Sequence, residues 1–495
     1  MDFVTISLAL LFAVAVGYGL KKLSGGGKNL PPGPNPLPLI GSLHLLGDQP
    51  HKSLTRLSKI YGPIMHLRLG FVHTVLVSSA AMAKEVMQNH DLVFSGRTVP
   101  DAIRAHDHSS YSVIWLPVAA RWRSLRKTIN SNIFSGNSLE GNRQLRHKKV
   151  EELIEYCRTN SQSGTAVDVG GAAFRTSLNI LSNTIFSRDL TDPFSDSSKE
   201  FKELIWNMMV EAGKPNLVDF FPLLRKFDLQ GIRRRMTVHF GKVIDLFSDL
   251  IDERLEKMKS GEYDPTGDVI DVLLAAGEKN PEEIDRIHIE RMCLDLFAAG
   301  TETTSSTVEW AMAEALKNPE TMKRAKAELA EVIGAGKIVD EADIPRLPYL
   351  RCMLKETLRI HPPAPFLIPR RAERDVVVCG YTVPENSQVF VNAWAIGRDP
   401  EIWEEPLVFK PERFLESEVD FRGRDFELVP FGSGRRICPG LPLAARVLPV
   451  VVGSLLNSFD WKIEGGVTAA ELNMDEKFGI TLQRAHPLRA VPVPL

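Results

Sequence analysis

The residues best suited to chemistry lie near the carboxyl end of the chain, in the loop PFGSGRRICPG at positions 430–440. Its glycines let the backbone adopt conformations that other residues resist and approach a flat ligand closely. Arg436 supplies a fixed positive charge that pairs with carboxylates. Pro439 has no N–H, which leaves one fewer amide beside the sulfur of Cys438. A thiolate held in this way suits the axial position of a haem iron, where it favours cleavage of an O–O bond.

A second candidate site lies on a helix predicted at 289–317, which carries the run AGTETT at residues 299–304. Small residues and a string of hydroxyls disfavour a helix, and such a local violation in a strong helical pattern indicates function. Asp295, Ala299 and Thr303 share one helix face because they are four residues apart. A threonine hydroxyl that bonds to the preceding turn can bend the helix and admit water. A close contact between two helices would use the same small residues and is the alternative.

A third candidate is a helix predicted at 119–129, which places Trp122 and Arg126 four residues apart on one face. An indole N–H and a guanidinium on one face can hold an anionic group. An exposed basic face is equally compatible with this spacing, so the segment by itself leaves both interpretations open.

The remaining pattern predicts short strands and helices around these sites. Alternating apolar residues predict strands at 66–69, 74–77, 376–378 and 388–391. Helices are predicted at 80–88, 349–360 and 441–456. Residues 100–117 show little periodicity and are predicted to form a loop, with His106 and His108 as solvated side chains rather than metal ligands.

The spacing of Phe431, Gly434, Arg436, Cys438 and Gly440 follows the pattern F-x-x-G-x-R-x-C-x-G. This pattern resembles the signature loop of the cytochrome P450 monooxygenases, which are haem-thiolate oxygenases. The resemblance implies a mainly α fold with small β-sheets (α+β), with haem b bound through iron to Cys438 and packed against Phe431 and Gly440. It also implies that the haem propionates are held by four side chains, Trp122, Arg126, Arg370 and Arg436.

The helix motif extends the resemblance. Residues 299–303 match the family pattern of alanine or glycine, glycine, any residue, acid and threonine. The match implies that Glu302 and Thr303 deliver protons during oxygen activation.

Glu356 and Arg359 are three residues apart, and by spacing alone they form a surface pair worth about 0.3–0.5 kcal/mol. The segment FKPERF at 409–414 resembles the family segment whose arginine, here Arg413, joins that pair. The resemblance implies that these three side chains form a buried triad that locks the core around the haem loop.

The resemblance further implies an apolar substrate pocket. We predict that it is lined by five residues, Phe297, Ala298, Leu367, Phe478 and Ile480. The break at residues 214–216 sits among apolar residues and is interpreted as core or as a mobile lid over this pocket.

Composition excludes other classes of function. The chain has 495 residues and a net charge of −2, which gives no electrostatic basis for binding nucleic acid. Its five cysteines are scattered without a CxxC pair, so neither a zinc site nor a disulfide framework is predicted, and a reducing compartment is indicated. No Rossmann fingerprint is present, so we expect electrons to come from NADPH through a separate flavoprotein reductase.

The amino-terminal segment is interpreted as a membrane anchor, residues 1–22. Residues 3–20 carry no charge and are just long enough to span hydrocarbon as a helix, and Lys21 and Lys22 follow. A cleaved signal peptide would carry its positive charge before this run. Residues 23–38, rich in glycine and then proline, are predicted to be a tether. Residues 39–495 are the predicted catalytic domain, which the resemblance places on the cytoplasmic side of the endoplasmic reticulum membrane.

Within the family, the segments at 41–51, 211–222 and 291–297 resemble plant microsomal members that hydroxylate monoterpene alcohols. The resemblance implies conversion of geraniol to 8-hydroxygeraniol, with one terminal methyl placed for reaction and the alcohol end held away. Two alternatives stay open: a hydroxylase of flavonoids or other phenylpropanoids with the same fold, and a haem-thiolate isomerase or sensor that activates no dioxygen.

Overall fold

The computed structural model describes residues 29–191, 196–260 and 267–495. The predicted anchor at 1–22 and residues 23–28 of the predicted tether lie outside the described residues. Residues 29–38 of the tether lead into the folded body. Residues 37 and 41 pair there in an isolated bridge, and residue 41 pairs with residue 69.

Most of the described chain is helical. The α-helices, in chain order, are α1 Pro50–Tyr61, α2 Ala80–Lys84, α3 Ala120–Thr128, α4 Gly136–Gly141, α5 Arg143–Ser163, α6 Val169–Phe186, α7 Asp196–Gly213, α8 Leu217–Phe220, α9 Ile232–Ser260, α10 Val269–Lys279, α11 Arg286–Lys317, α12 Pro319–Ile333, α13 Pro348–Ile360, α14 Ala393–Ile396 and α15 Leu441–Ser458. Short 3₁₀ segments are Leu43–Leu45, Asp101–Ser110, Pro222–Phe227, Glu341–Arg346, Pro411–Phe414, Gly434–Arg436 and Glu464–Gly466, and π-helical turns are Glu85–Asn89 and Ile129–Ile133.

The strands form four small sheets. They are β1 Ile64–Leu69, β2 Val72–Val77, β3 Gly96–Arg97, β4 Val167–Asp168, β5 Arg370–Arg371, β6 Val376–Val378, β7 Tyr381–Val383, β8 Gln388–Val391, β9 Phe459–Ile463, β10 Glu476–Lys477, β11 Gln483–Arg484 and β12 Arg489–Pro494. The largest sheet has the order β1-β2-β8-β5-β3, and the others are β4-β12-β9, β6-β7 and β10-β11. The predicted fold class, mainly α with small β-sheets, is confirmed.

The largest sheet joins the two ends of the chain. β1 and β2 form an antiparallel hairpin, and β2 pairs in parallel with β8, with Val75 opposite Val389. The hairpin turns at Gly70, which has a φ of +59° and lies so close to Phe220 that a Cβ would be 2.6 Å from its carbonyl oxygen. At the far edge, β3 and β5 pair antiparallel and set Arg97 opposite Arg370.

Helix α11 runs through the centre of the molecule. Its 32 residues begin at a capping box, in which the side chain of Asp285 accepts from the backbone N–H of His288. The helix ends before Pro319, because the residue that precedes a proline is disfavoured in a helix. It packs along α6 so closely that a Cβ on Gly300 would lie 2.7 Å from Leu181. The small residue at 300 therefore does serve a close helix contact.

Helix α15 follows the cysteine loop and packs behind it. Its side chains from Val447 onward lie in a core cluster with α5, α12 and α13. Among the described residues it is the one helix that is long and apolar enough to cross a membrane, and 61% of its apolar window is buried in the protein. Its apolar character is explained by this burial.

Glu356 and Arg359 on α13 do not form a solvated pair, because both are completely buried. Arg359 donates from Nε and Nη2 to the two oxygens of Glu356 at 2.6 and 2.7 Å. Arg413 donates to the same carboxylate at 3.0 Å, and the backbone N–H of Lys410 donates at 2.8 Å. The spacing-based estimate of a weak surface pair is therefore wrong, and the geometry of the triad that the family resemblance implies is present.

Most predicted elements are found within three residues of their predicted bounds. The strands at 376–378 and 388–391 are confirmed, while β1 and β2 each begin two residues earlier than predicted. The segment predicted as a loop at 100–117 contains short 3₁₀ turns within residues 101–110, and these turns are interrupted at residues 105–107 by non-helical backbone. His108 is not solvated: it is buried, and its Nε2 lies 3.0 Å from Oδ1 of Asp295. His106 is bonded to the carbonyl oxygen of Thr237 at 2.8 Å.

Candidate active site

The cysteine loop is held in a fixed shape by its backbone. The N–H of Cys438 donates to the carbonyl oxygen of Phe431 at 2.9 Å, which closes the loop. Gly434 has a φ of +70°, and a Cβ there would lie 2.2 Å from the carbonyl oxygen of Met87. A side chain at this position would therefore meet both backbone strain and a collision with fixed backbone.

The sulfur of Cys438 lies where two opposing effects meet. Burial raises the pKa of the Cys438 thiol above its ordinary value, and the N–H of Gly440, the guanidinium of Arg126 and the N–H of Leu441 oppose this rise in part. Leu441 is also the first residue of α15, so the sulfur lies at the positive end of a helix. A Cβ at Gly440 would lie 3.7 Å from the sulfur. These groups stabilise a thiolate, the form that binds a metal.

A cavity of about 280 Å³ opens beside this sulfur. Cys438, Phe431 and Gly440 line it from the loop. Helix α11 contributes Asp295, Leu296, Ala299, Gly300, Thr303, Thr304 and Thr307. The predicted alignment of residues 295, 299 and 303 along one helix face is thus confirmed.

Four arginine side chains converge on one wall of the cavity, namely Arg97, Arg126, Arg370 and Arg436. Their hydrogen bonds go to backbone carbonyl oxygens, and within the described residues none of the four forms an ion pair with a carboxylate. The Nε of Arg97 is buried without a hydrogen-bond partner. Guanidinium groups that are buried together without a counter-charge are costly unless an anion binds among them.

The pKa values of these arginines show the same imbalance. Burial, followed by the like charges of Arg370, Arg436 and Arg126, holds the pKa of Arg97 well below its ordinary value. Burial lowers the pKa of Arg370 to about 10, with a small opposing effect of Asp91. Burial and the charges of Arg370 and Arg126 lower the pKa of Arg436 to about 10. An anionic ligand would reverse these effects.

The residues around the cavity fit a haem. Four cationic side chains that have no carboxylate partner would hold the two propionates. The Nε of Arg97 has no hydrogen-bond partner and is one donor available to a propionate. The sulfur of Cys438 is a suitable axial ligand, and the glycines leave room for a flat ring. Arg126 connects both features, because it lowers the pKa of Cys438 and donates to the carbonyl oxygen of Ile437.

Arg97 is the functional residue that the sequence analysis missed. It is not part of a recognisable motif, and only the pairing of β3 with β5 brings it opposite Arg370. Like charges directly opposite each other in a sheet are destabilising, so this register itself is the structural signal of an anion site.

Trp122 is buried at the cavity wall as predicted, but its indole N–H is already engaged. It donates to the carbonyl oxygen of Val113 at 3.0 Å, while its ring lies 4.9 Å from the guanidinium carbon of Arg436. In this structure Trp122 therefore supports Arg436 and the segment around residue 113, and its contact with a propionate stays a prediction.

The structure separates Glu302 from Thr303. Thr303 lines the cavity, and its hydroxyl donates to the carbonyl oxygen of Ala299 at 2.7 Å. Glu302 is buried away from the cavity lining, where Gln483 donates to one of its oxygens and the other has no partner. Burial, opposed by the charge of Lys477, raises the pKa of Glu302 to about 8. Glu302 therefore holds a proton at neutral pH.

Of the five predicted pocket residues, Leu367 lies in the lining of this cavity and the other four do not. Leu367 lines the cavity in a left-handed backbone conformation with a φ of +52°. Phe297 is not among the lining residues: its ring packs on Phe247, with the ring centroids 5.0 Å apart and the ring planes tilted by 36°. Ala298 packs against the same core cluster.

The two residues predicted from the carboxyl-terminal turn also lie outside the cavity lining. Phe478 stacks on His51 with ring centroids 5.4 Å apart, under the amino-terminal sheet. The backbone of Ile480 packs against Gly213 at the end of α7, where a Cβ would lie 2.8 Å from its nitrogen. The apolar wall is supplied instead by Val113, Ile114, Leu296, Ala364 and Ile368.

Comparisons with known proteins agree with this site. The profile of the cytochrome P450 family matches residues 31–486. Geraniol 8-hydroxylases of Swertia mussotii and Catharanthus roseus are each 68% identical, covering 100% and 99% of this chain and 99% of each relative. A geranylhydroquinone 3''-hydroxylase of Arnebia euchroma is 53% identical over 100% of this chain and 99% of that protein. A zebrafish cytochrome P450 solved with progesterone has a TM-score of 0.76 and 26% identity, covering 90% of this chain and 99% of that one.

Fold, loop and family match together define a haem-thiolate monooxygenase. The chain belongs to the cytochrome P450 family. More particularly, it is similar over its whole length to plant members of the microsomal type, which use haem b and take electrons from NADPH through cytochrome P450 reductase. The isomerase and sensor alternatives are thereby set aside.

Substitution of Arg97 tests the arginine wall without measuring activity. We expect Arg97→Leu to accelerate haem loss about tenfold or more, because a hydrogen bond to a charged group contributes about 1.5 kcal/mol or more. Transfer of haem to excess apomyoglobin measures this rate. Arg422→Leu, at an exposed position outside the cavity lining, is the matched control and should lose haem at the wild-type rate. Equal rates for Arg97→Leu and wild type would contradict the assignment.

Glu302 should impose a pH dependence on coupling, the ratio of product formed to NADPH consumed. Its pKa of about 8 means that the acid form dominates at neutral pH and is lost above pH 8. We expect wild-type coupling to fall as pH rises through 8, and Glu302→Gln to be poorly coupled without an inflection there. A wild-type profile that is flat through pH 8 would argue against Glu302 as the proton source.

A stability measurement provides the control for this pKa. The folded-state value of about 8 lies above the ordinary 4.5, so between these values the folded protein binds a proton that the unfolded chain has lost. Stability that depends on this group therefore falls as pH rises from about 5 to 8. Thermal unfolding of Glu302→Gln should lack this part of the decline.

Proposed function

We propose that this monooxygenase hydroxylates geraniol at C8, giving 8-hydroxygeraniol. The observation that carries the proposal is the 68% identity, over essentially the whole chain, to two proteins named geraniol 8-hydroxylase from different plants. A ten-carbon terpenol is small, largely apolar and elongated, and part of the cavity wall is apolar, formed by Val113, Ile114, Leu296, Ala364 and Ile368. Such a pocket binds by burial of surface and orients its ligand through a few polar contacts.

In this proposal Cys438 is the axial ligand of the haem, and Arg97, Arg126, Arg370 and Arg436 hold the propionates. The bound haem supplies the oxygen-activating chemistry, which thiolate ligation favours. The protein fixes the thiolate through the N–H groups of the loop and excludes water with its apolar wall. In this proposal Thr303, whose hydroxyl lines the cavity, passes protons into the cavity, and the buried Glu302 beside it is the proton donor.

A second candidate is hydroxylation of a geranyl chain attached to an aromatic ring. It is favoured by the 53% identity to a geranylhydroquinone 3''-hydroxylase. A 7-ethoxycoumarin O-deethylase of Helianthus tuberosus, which is 55% identical, is a second relative named for an aromatic substrate. Because both relatives are named for aromatic substrates, the alternative of a flavonoid or phenylpropanoid hydroxylase is also included in the test below. The higher identity to the geraniol 8-hydroxylases places geraniol first.

We further propose three parts for the chain: a membrane anchor at 1–22, a tether at 23–38 and a catalytic domain at 39–495 facing the cytoplasm from the endoplasmic reticulum. An exposed apolar patch supports this arrangement, made of Phe71, Leu217, Leu223, Phe227 and Leu229. Phe71 lies next to the segment that carries the other four residues, since its N–H donates to the carbonyl oxygen of Phe220 at 2.9 Å and its ring contacts Phe221. Exposed apolar patches of this kind mark interaction with a membrane or a partner.

Removal of residues 1–22 tests the anchor. We expect the full chain to stay in the membrane pellet after a carbonate wash, and the truncated chain to be released by it. The carbon monoxide difference spectrum of the truncated form should be unchanged, which controls for folding. Recovery of the full chain in the soluble fraction would overturn the proposal.

Reconstitution tests the substrate. The full-length protein is combined with cytochrome P450 reductase, NADPH and geraniol, and the products are identified by mass spectrometry against authentic 8-hydroxygeraniol. We expect 8-hydroxygeraniol as the main product and a turnover with geraniol at least tenfold higher than with geranylhydroquinone, flavonoid or phenylpropanoid substrates; tenfold corresponds to about 1.4 kcal/mol in the barrier. Absence of any hydroxylated geraniol would remove the proposal.

A further inference from the structure

Asp295 is the only acidic side chain among the residues that line the cavity in the part of the chain that the structure describes. It is buried, on the same face of α11 as Ala299 and Thr303. Its neighbours on the wall, Val113, Ile114 and Leu296, are apolar. A buried carboxylate in an apolar wall is costly unless its oxygens are well supplied with donors.

Three donors reach the Asp295 carboxylate from the segment before α3. His108 Nε2 lies 3.0 Å from Oδ1, and the backbone N–H of Val113 donates to Oδ2 at 3.0 Å. The hydroxyl of Ser112 lies 2.8 Å from Oδ1 and 2.7 Å from Oδ2, so its one proton is shared between them. These bonds fix the carboxylate in one orientation at the wall.

This supply leaves acceptor capacity unused. An ionised carboxylate has about four acceptor sites, and the protein fills three of them. Asp295 itself lines the cavity, so a ligand there can approach the carboxylate and use the remaining acceptor capacity. Asp295 is therefore prepared to accept one hydrogen bond from a cavity ligand.

The other hydroxyl groups that α11 presents to the cavity are less able to do so. Thr303, Thr304 and Thr307 each donate to the carbonyl oxygen four residues earlier, at 2.7 to 2.8 Å. Their oxygens remain only as neutral acceptors. A hydrogen bond to a charged acceptor is roughly twice as strong as one between neutral groups, so an alcohol in this cavity binds best to Asp295.

The helix also sets the separation between the two ends of a bound ligand. Asp295 and Thr303 are eight residues apart, which is about 12 Å of helical rise. Geraniol carries its hydroxyl at one end and the C8 methyl at the other end of an extended chain. A ligand whose hydroxyl meets Asp295 therefore extends its far end toward the turn that carries Thr303.

We propose that Asp295 accepts the hydroxyl hydrogen of the terpenol and so determines which end of the substrate reaches the oxidising site. The inference rests on the proposed function and deepens it: Asp295 is the residue that recognises the alcohol. It acts by positioning, and no bond to it forms or breaks.

The test combines one substitution with two ligands. Substrate binding to the haem-loaded protein is titrated through the change in its visible spectrum, with geraniol and with geranyl methyl ether, which has no hydroxyl proton to donate. We expect Asp295→Asn to weaken geraniol binding about tenfold, as for loss of one charge-assisted hydrogen bond, and to change methyl ether binding less than twofold. The fraction of product hydroxylated at C8 should fall with geraniol.

Ser112→Ala is the matched control. It removes one bond between the same segment and Asp295 but keeps the carboxylate, so its effect on the two ligands should be equal. If Asp295→Asn weakens the binding of both ligands equally, Asp295 serves only to hold the segment at 108–113 in place, and the proposal is overturned. Unchanged binding of geraniol in Asp295→Asn overturns it as well.

A comparison of the two ligands on the wild-type protein tests the proposal without a variant. If Asp295 recognises the hydroxyl, wild type binds geraniol about tenfold more tightly than the methyl ether. Equal affinities overturn the proposal even when Asp295→Asn fails to fold. A wild-type protein that binds both ligands but hydroxylates neither removes the proposed function, which is a separate and distinguishable outcome.

Discussion

The structure depends on one electrostatic constraint, the burial of four guanidinium groups along one wall of a cavity without a carboxylate to balance them. The register of β3 on β5 sets Arg97 opposite Arg370, and α3 and the cysteine loop bring Arg126 and Arg436 to the same wall. Charges of one sign that are buried near one another repel strongly in a low-dielectric interior. The protein is therefore most stable with a dianionic ligand, so haem binding and the stability of this region are thermodynamically linked.

Arg436, which belongs to the cysteine loop, also contacts the segment of the chain that holds Asp295. Arg436 donates to backbone carbonyl oxygens at Ser95, Val113, Ile114 and Leu116, and Trp122 donates to that of Val113. The segment that these bonds hold also supplies the donors to Asp295. The arginine wall and the proposed alcohol acceptor are thus joined by hydrogen bonds to one segment of the chain, residues 108–116.

The sequence predicted what depends on local pattern and missed what depends on tertiary pairing. The cysteine loop, the face of α11 and the Trp122–Arg126 helix follow from spacing along one element. Arg97 could not be found in this way, because its role arises from a strand of two residues that pairs with another far along the chain. His108 was misread for the same reason, since its partner Asp295 is distant in sequence. Phe297 is outside the cavity lining although Gly300 and Thr304, three and seven residues further along the same helix, line it. Its contact with Phe247 on α9 is a tertiary contact that the pattern of α11 could not reveal.

Helix α11 carries three side chains for which different roles are proposed, namely Asp295, Glu302 and Thr303. Thr303 and Asp295 share the cavity face, two turns apart, so one can face the reacting end of the substrate and the other its alcohol. Glu302, one residue before Thr303, is buried and is not among the residues that line the cavity, and burial raises its pKa to about 8. A carboxyl at the cavity face would compete with Asp295 for the alcohol. Because the carboxyl of Glu302 is outside the cavity lining, Asp295 remains the only acidic side chain among the described residues that line the cavity, so the proposed proton donor and the proposed alcohol acceptor are separate groups.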